Sequence, residues 1–259
     1  MISSVQNPRV QHIRNLQSRA KARREAGSFV AEGVRLAEEV LAAGWPVKQG
    51  FYSEGLDARG QQLVAAFAAA GAQMEPVAEH VMAASSDTKT PAGLLLEVTR
   101  QTLALPPQLD LAIILDRVND PGNVGTLLRS AAAAGAQAAV LAPGCVDPFA
   151  PKVLRSGMGA QLRLAVLEYT WAEVRSWLQQ HGLHALLAEA NIGHPFDEVD
   201  LTRKLAFIVG GEANGPSDEA RSLGAEAIQI RMPGQIESLN AATAGSLLLF
   251  EAVRQRRAS

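Results

Sequence analysis

Apolar positions recur with two alternating periods along almost the whole chain. In the first hundred residues, short apolar runs predict strands: SFVAEG, VKQGFYS, AQMEPV and GLLLEVT. Between them, apolar residues at helical spacing predict helices over VRLAEEVLAAG, RGQQLVAAFAAAG and AEHVMAASS. This alternation of strands with helices predicts an α/β fold, in which helices cover the faces of a sheet.

The same alternation returns after TRQTLALPPQLD, where Pro106 and Pro107 interrupt regular structure. Strands are predicted over LAIIL, AAVLA, LRLAV, HALLAE, LAFIVG and AEAIQI. Helices are predicted near residues 125–134, 148–157, 170–181, 216–223 and 238–257. Strands separated by helices indicate a parallel sheet, so we expect two α/β domains, 1–104 and 105–259.

Composition narrows the class of protein. With 259 residues, 47% of them apolar, the chain has room for two cores. One cysteine, Cys145, excludes an intrachain disulfide, and five histidines without ligand spacing predict no metal site. MISSVQNPRV lacks an apolar signal core and no segment approaches membrane-spanning length, so we expect a soluble cytoplasmic protein with no membrane partner.

Charge is uneven although the formal net charge is only −2. Between Met1 and Arg24 there are six basic residues and no acid. The same segment has Val10, Ile13 and Leu16 at helical spacing, together with Ala20. The pattern fits a solvated amphipathic helix and a nucleic-acid-binding surface equally well.

Ligands of parallel sheets bind at the carboxyl ends of strands, which directs attention to the loops after Leu115, Val209 and Ile230. The first loop reads NDPGNVGTLLR. Asp120 is suited to capping a helix with Pro121 at its first position. Capping does not explain Arg129 on the open side of that helix, where simple solvation is the alternative.

The second loop, FIVGGEANGPS, follows a buried strand. Gly210 and Gly211 would let backbone approach a ligand closely, and Glu212 could bind a hydroxyl or a cation. A glycine-rich turn with a capping glutamate is the structural alternative, and Ser217 could cap the next helix.

The third loop lies in IQIRMPGQIESLNAATAGSLLLFEAVRQR, where Ser238 is a good candidate for the N-cap of a long helix. Asn240 then falls in the first turn, where asparagine is a poor helix former without a capping duty. It has either another role or ordinary contact with solvent.

Together these three segments resemble the three motifs of the SpoU branch of the SPOUT methyltransferases, in the family's order. PKVLRSGMGAQLRLAV resembles the segment between the motifs. SSVQNPRVQHIRNL, RREAGSFVAEGVRLAEEVLAAG and DTKTPAGLLLEV resemble the small RNA-binding domain attached to ribosomal RNA members. The resemblance covers nearly the whole chain.

The resemblance implies an enzyme that transfers a methyl group from S-adenosylmethionine to a ribose 2′-hydroxyl, with 23S ribosomal RNA as the favoured substrate. It implies a homodimer and a deep trefoil knot in the carboxyl-terminal half, which periodicity alone does not reveal. The catalytic positions it implies are Asn123, Arg129, Glu212, Ser238 and Asn240. The positions it implies for the cofactor are Gly210, Gly211, Ile230, Met232 and Leu239. Given this resemblance, the basic amino-terminal segment is interpreted as an RNA-binding surface and not as a merely solvated helix. Its cations are Arg9, Arg14, Arg19, Lys21, Arg23 and Arg24.

One departure from the family pattern concerns the third motif. The family usually has proline before the motif methionine, whereas Arg231 stands there and Pro233 lies two residues later. Two other functions stay open: methylation of transfer RNA, and RNA binding or ribosome assembly without catalysis. The intact motif residues weigh against the second of these.

Overall fold

The computed structural model describes residues 1–211, 215–234 and 236–258. The chain divides into two compact units. The first unit consists of Met1–Gln101 and Phe149–Leu162, and the second of Thr102–Pro148 and the chain from Arg163 onward. The segment 149–162, which the sequence assigned to the second domain, therefore packs within the first unit. No helix within the described ranges is long and apolar enough to cross a membrane.

The first unit is built on a four-stranded mixed sheet with helices packed on it. Its strands are β1 (Ser28–Glu32), β2 (Val47–Tyr52), β3 (Gln73–Pro76) and β4 (Leu94–Thr99), in the order β1-β4-β2-β3. Its helices are α1 (Pro8–Ser18), α2 (Ala20–Ala26), α3 (Val34–Ala43), α4 (Ala58–Ala69), α5 (Glu79–Ser85) and α7 (Pro151–Gly157), followed by a 3₁₀ turn (Ala160–Leu162). Strand β4 is antiparallel to β1 and β2, whereas β2 and β3 are parallel.

The basic amino-terminal segment forms two helices, although its apolar spacing suggested one. Val10, Ile13 and Leu16 of α1 are buried in the core of the first unit. The helix ends at Arg19, which has extended backbone, and α2 starts at the next residue. The guanidinium of Arg23, itself only 7% exposed, donates to the backbone oxygens of Leu16 (2.6 Å) and Gln17 (3.1 Å). This side chain satisfies carbonyls that a helix end otherwise leaves unpaired.

The second unit contains a seven-stranded parallel sheet, which confirms the predicted architecture. Its strands are β5 (Leu111–Asp116), β6 (Ala138–Leu141), β7 (Ala165–Glu168), β8 (His184–Ala188), β9 (His194–Pro195), β10 (Leu205–Gly210) and β11 (Glu226–Gln229). The order is β7-β6-β5-β10-β8-β11-β9. Its helices are α6 (Pro121–Ala133), α8 (Trp171–His181), α9 (Asp218–Arg221) and α10 (Ala241–Ala258). Strands β5 and β10 are almost wholly buried, as expected where both faces of a parallel sheet are covered.

Two helices begin outside or inside their predicted ranges because of their caps: α6 begins at its predicted cap, Asp120, and α10 at a different cap from the predicted one. The Asp120 side chain accepts from the backbone N–H of Asn123 (2.9 Å), so α6 starts at Pro121 and includes the predicted turn. The predicted cap of α10, Ser238, is wrong. Asn240 caps that helix, because its Oδ1 accepts from the N–H groups of Ala242 (3.0 Å) and Thr243 (3.1 Å).

A glycine lets α10 lie close to α6 and the sheet. A Cβ built on Gly245 would stand 2.4 Å from Leu127 of α6 and 3.4 Å from Val209 of β10. Ser130 of α6 and Ser246 of α10 share a hydrogen bond of 2.7 Å beside this contact. The start of α10 is therefore held next to the carboxyl end of β10.

Candidate functional site

A cleft opens at the carboxyl ends of β8, β10 and β11 and is closed on one side by the start of α10. Its walls are mainly apolar side chains and glycine backbone. All five residues predicted to hold a cofactor line it: Gly210, Gly211, Ile230, Met232 and Leu239. Ser238 lines it as well. Segments far apart in sequence thus meet in one cavity at the sheet edge where α/β proteins bind ligands.

The two glycines at the end of β10 allow tight packing of backbone against backbone. A Cβ on Gly210 would stand 2.6 Å from the Pro216 nitrogen, and one on Gly211 would stand 2.5 Å from the Arg117 carbonyl oxygen. Both distances are too short for any side chain. The sequence suggested that these glycines make room for a ligand; the structure shows that they first make room for the chain itself.

A buried carboxylate fixes the cleft wall formed by Gly215 and Pro216. Asp116, at the end of β5, is fully buried, and its Oδ2 accepts from the Ser217 N–H at 2.6 Å. Its backbone oxygen accepts from the Gly211 N–H at 2.9 Å. Ser217 also caps α9, as predicted, by accepting from the Ala220 N–H at 3.1 Å. The loop after β10 is therefore anchored at both of its described ends.

A groove between α6 and α10 contains the two asparagines predicted as catalytic. The Asn240 side-chain amide donates to Oδ1 of Asn123 at 3.0 Å. Both residues line the groove, together with Thr126 and the half-exposed side chains of Leu247 and Phe250. Asn240 lies next to Leu239 of the cleft, so the groove opens beside the cleft along the same loop.

Comparisons with known proteins decide the family. Residues 110–250, more than half of the chain, match the model of the SpoU rRNA methylase family. The chain belongs to the SpoU rRNA methylase family. Residues 7–96 of this SpoU protein match a second model, the MRM3-like substrate-binding domain.

Relatives and solved structures cover almost the full chain. An uncharacterized tRNA/rRNA methyltransferase of Synechocystis, slr1673, is 32% identical over all of this chain and 95% of its own length. The 23S rRNA (guanosine(2553)-2′-O)-methyltransferase RlmP of Bacillus subtilis is 29% identical over 96% of this chain and 97% of its own. The crystal structure of an AdoMet-bound rRNA methyltransferase from Sinorhizobium meliloti superposes with a TM-score of 0.86 at 29% identity, covering 98% and 97% of the two chains.

Two predicted catalytic residues of this SpoU protein remain, Arg129 and Glu212. Arg129 is exposed on α6 and forms no hydrogen bond or ion pair with the described residues. It lines neither the cleft nor the asparagine groove. Glu212 lies outside the described residues. Arg231, the departure from the family pattern, forms an ion pair with Glu198 on the surface at 2.5 Å.

The amino-terminal cations divide into two groups. Arg23 is buried against α1, and Arg9 donates to Gln49 (2.7 Å) and Glu75 (2.5 Å), so structural contacts occupy both. The other four are exposed: Arg14, Arg19, Lys21 and Arg24. Of these, Lys21 has an acidic neighbour, Glu25, at 3.7 Å one helical turn away. The surface available to a polyanion is therefore narrower than the sequence predicted.

Sequence reasoning missed the wall of the cleft that follows β8. Glu189 lines the cleft directly after that strand, and Arg221 of α9 donates two hydrogen bonds to its Oε1. This contact raises the pKa of Arg221 above its usual value, mainly through the hydrogen bond to Glu189. The loop EANIGHP carries no motif, and the only available signal was an acid immediately after a buried strand. Within the described ranges no cluster of three or more His, Cys, Asp or Glu residues could bind a metal.

Proposed function

We propose that this chain transfers a methyl group from S-adenosylmethionine to a ribose 2′-hydroxyl of ribosomal RNA, most specifically 23S ribosomal RNA. The observation that carries the proposal is the convergence of the second and third motifs in one cleft, with the Asn123–Asn240 pair beside it. RlmP of Bacillus subtilis, similar over nearly its full length, is a 23S rRNA 2′-O-methyltransferase, which supports the same substrate class.

The cleft fits the chemistry of the proposed cofactor. An adenosyl group needs apolar surface for its ring and a few polar contacts to fix its orientation. Ile230, Met232 and Leu239 supply apolar surface, and Gly210 and Gly211 line the same cleft with backbone. The AdoMet-bound structure from Sinorhizobium meliloti supports this assignment.

S-adenosylmethionine, when bound, supplies a methyl group that its sulfonium already activates, so the protein has mainly to position the attacking oxygen. Asn123 and Asn240 are tied to each other and present amide groups beside the cleft. We assign them to orientation of the ribose, because accurate alignment can supply several kcal/mol of a reaction barrier. Ser238, on the cleft wall, is assigned to the same hydroxyl.

Arg129 is assigned to electrostatic stabilisation. A guanidinium stays protonated in proteins and therefore cannot act as a base. Its guanidinium, which no described residue engages, can bind an RNA phosphate and stabilise negative charge that develops on the ribose oxygen. Glu212 is assigned to orienting the groups of the second motif; this assignment rests on the family pattern alone.

RNA binding is assigned to the first unit, whose residues 7–96 match a substrate-binding domain. The exposed cations that carry this assignment are Arg14, Arg19, Lys21 and Arg24. Each phosphate that they neutralise releases counterions, so binding should weaken steeply with salt.

We further propose that the chain acts as a homodimer and has the trefoil knot of its family, with the cytoplasm as its place of action. The dimer is supported by Leu247 and Phe250 of α10, which are 44% and 49% exposed beside the asparagine groove. Exposed apolar patches commonly mark interaction sites. Because Arg129 is not among the described residues that line the cleft or the asparagine groove, we assign completion of the site to a second copy. Light scattering of the wild type and of Phe250→Glu tests this: a wild-type monomer would refute the dimer.

Methyl transfer from labelled S-adenosylmethionine to protein-free ribosomal and transfer RNA, compared side by side, tests the function. Alkali-resistant linkages then map any 2′-O-methylated position. We expect label at a defined position of 23S ribosomal RNA. Label in transfer RNA alone would show that transfer RNA, and not ribosomal RNA, is the substrate. Cofactor binding without label in free RNA or in ribosomal subunits would show that the chain binds RNA without catalysing methyl transfer.

A further inference from the structure

The cleft contains one ionisable side chain among its described lining residues, Glu189. It follows β8 directly, and its side chain is only 11% exposed. Its backbone N–H donates to the Ile228 oxygen of β11 at 3.0 Å, which fixes the main chain at this point. A carboxylate in an otherwise apolar cavity is costly unless it is paired, so its partners show what it can do.

Arg221 pairs with one carboxylate oxygen only. Its Nε donates to Oε1 at 3.1 Å, and its Nη2 donates to the same oxygen. The third nitrogen, Nη1, donates to the Pro216 carbonyl oxygen at 2.6 Å and so connects the pair to the cleft wall formed by Gly215 and Pro216. Among the residues that the structure describes, none donates a hydrogen bond to Oε2 of Glu189. Within that part of the chain, Oε2 is held in place through its carboxylate and accepts no hydrogen bond.

The charge of the pair selects the kind of group that Oε2 can bind. The guanidinium of Arg221 compensates the buried carboxylate of Glu189, whereas its second acidic neighbour, Asp218 at 3.7 Å, is fully exposed and screened by solvent. A bound ammonium would therefore meet a cation beside the acid, and a bound carboxylate would meet a second acid. A neutral hydroxyl donor avoids both repulsions and gains a charge-assisted hydrogen bond. In the adenosyl group, neutral hydroxyls occur as the vicinal pair on the ribose.

We propose that Glu189, held by Arg221, binds the ribose hydroxyls of the adenosyl group of S-adenosylmethionine. The inference rests on the proposed function, because it takes that cofactor as the occupant of the cleft. It adds a binding residue that the three motifs do not contain. It also gives Arg221 a positioning role, since its guanidinium both orients the carboxylate and anchors Pro216.

Competition binding tests the assignment without RNA or turnover. Adenosine and 2′,3′-dideoxyadenosine compete against labelled S-adenosylmethionine on the full-length wild type and on Glu189→Gln. The amide keeps an acceptor for Arg221 but presents a donor at the second position. A hydrogen bond to a charged group contributes enough for the wild type to prefer adenosine by ~10-fold or more. In Glu189→Gln the preference should fall to about threefold or less, within the range of a neutral hydrogen bond.

Glu226→Gln is the matched control, because Glu226 is also ion-paired in the same sheet but does not line the cleft. It should keep the wild-type preference. An equal preference in wild type and Glu189→Gln would overturn the assignment, and so would a wild type that does not distinguish the two nucleosides, even if the variant failed to fold. If Glu189→Gln weakened S-adenosylmethionine but left the preference for adenosine intact, Glu189 would contact the amino-acid end and not the ribose. Failure of the wild type to bind S-adenosylmethionine at all would refute the proposed function itself.

Discussion

Asn240 serves two roles that a pair of substitutions can separate. Its Oδ1 caps α10 by accepting from Ala242 and Thr243, and its amide nitrogen donates to Asn123. Serine is as good an N-cap as asparagine but has no amide to reach Asn123, whereas alanine can do neither. Asn240→Ser therefore removes the contact between the two asparagines, and Asn240→Ala removes the cap as well.

The expected stability changes follow from the cap. Loss of an N-cap side chain costs about 1 kcal/mol of unfolding free energy. For a folding unit of this size that loss lowers Tm by about 3 °C. We expect Asn240→Ala to show this decrease in differential scanning calorimetry and Asn240→Ser to stay within about 1 °C of wild type, because the exposed contact with Asn123 contributes little net stability.

Methyl transfer should respond differently from stability. Both variants lose the bond that orients Asn123, and misplacement of a positioning group by about 1 Å can reduce turnover roughly a hundredfold. We expect such a loss in both. Thr170→Ala is the control: Thr170 caps α8 in the same unit, so Tm should fall while turnover is kept. Wild-type turnover in Asn240→Ser would refute the positioning role, and equal Tm values for the serine and alanine variants would refute the cap.

Three further predictions concern other parts of the molecule. Arg129→Ala should abolish methyl transfer while Tm and S-adenosylmethionine affinity stay at wild-type values; retained turnover would remove Arg129 from the mechanism. Replacing the four exposed amino-terminal cations with alanine should weaken RNA binding and reduce the slope of log K against log salt by about 3, whereas an unchanged slope would show a merely solvated face. These cations are Arg14, Arg19, Lys21 and Arg24. Burial raises the pKa of Glu97, but hydrogen bonds from Gln49, His12 and Ser28 outweigh it and leave the pKa below 4.5. The stabilisation is therefore present above pH 4.5 and lost as pH falls through the lower folded value, so wild type should lose more stability on acidification than Glu97→Gln; parallel acid-unfolding curves would contradict this.

The sequence predicted the elements well because their apolar periods are long and regular. The six principal strands of the parallel sheet were predicted from runs such as LAFIVG, which is buried on both faces. The short β9 was missed because two residues carry no period. Helix ends were less accurate, since they depend on which polar side chain accepts the first free N–H groups. At the start of α10 the sequence favoured Ser238 as the cap and gave Asn240 no capping duty, whereas the Asn240 side chain accepts the first free N–H groups.

The residues of the candidate site that belong to sequence motifs could be predicted, whereas those whose role depends on tertiary contacts could not. The residues lining the cleft around Gly210 and Leu239 follow from the second and third motifs. Glu189 does not, because its importance depends on Arg221, 32 residues later, and on the order of the strands. Similarly, nothing in the local sequence distinguishes Arg23, whose guanidinium is buried on α1, from Arg24, which is exposed.

Helix starts explain why capping contacts and proposed functional residues coincide in this site. Parallel strands deliver their carboxyl ends to one edge of the sheet, and the helices that follow them must begin there. Their first turns carry free N–H groups, so Asp120, Ser217 and Asn240 act as caps at the same edge as the cleft. A cap side chain has a second polar atom or face to spare, and in Asn240 the spare amide reaches Asn123. Substitution of Asn240 by alanine is therefore expected to change stability and the proposed positioning together. A catalytic role at this edge must therefore be tested with replacements that keep the helix cap. Only a loss of turnover that is still seen with such a replacement can be attributed to catalysis.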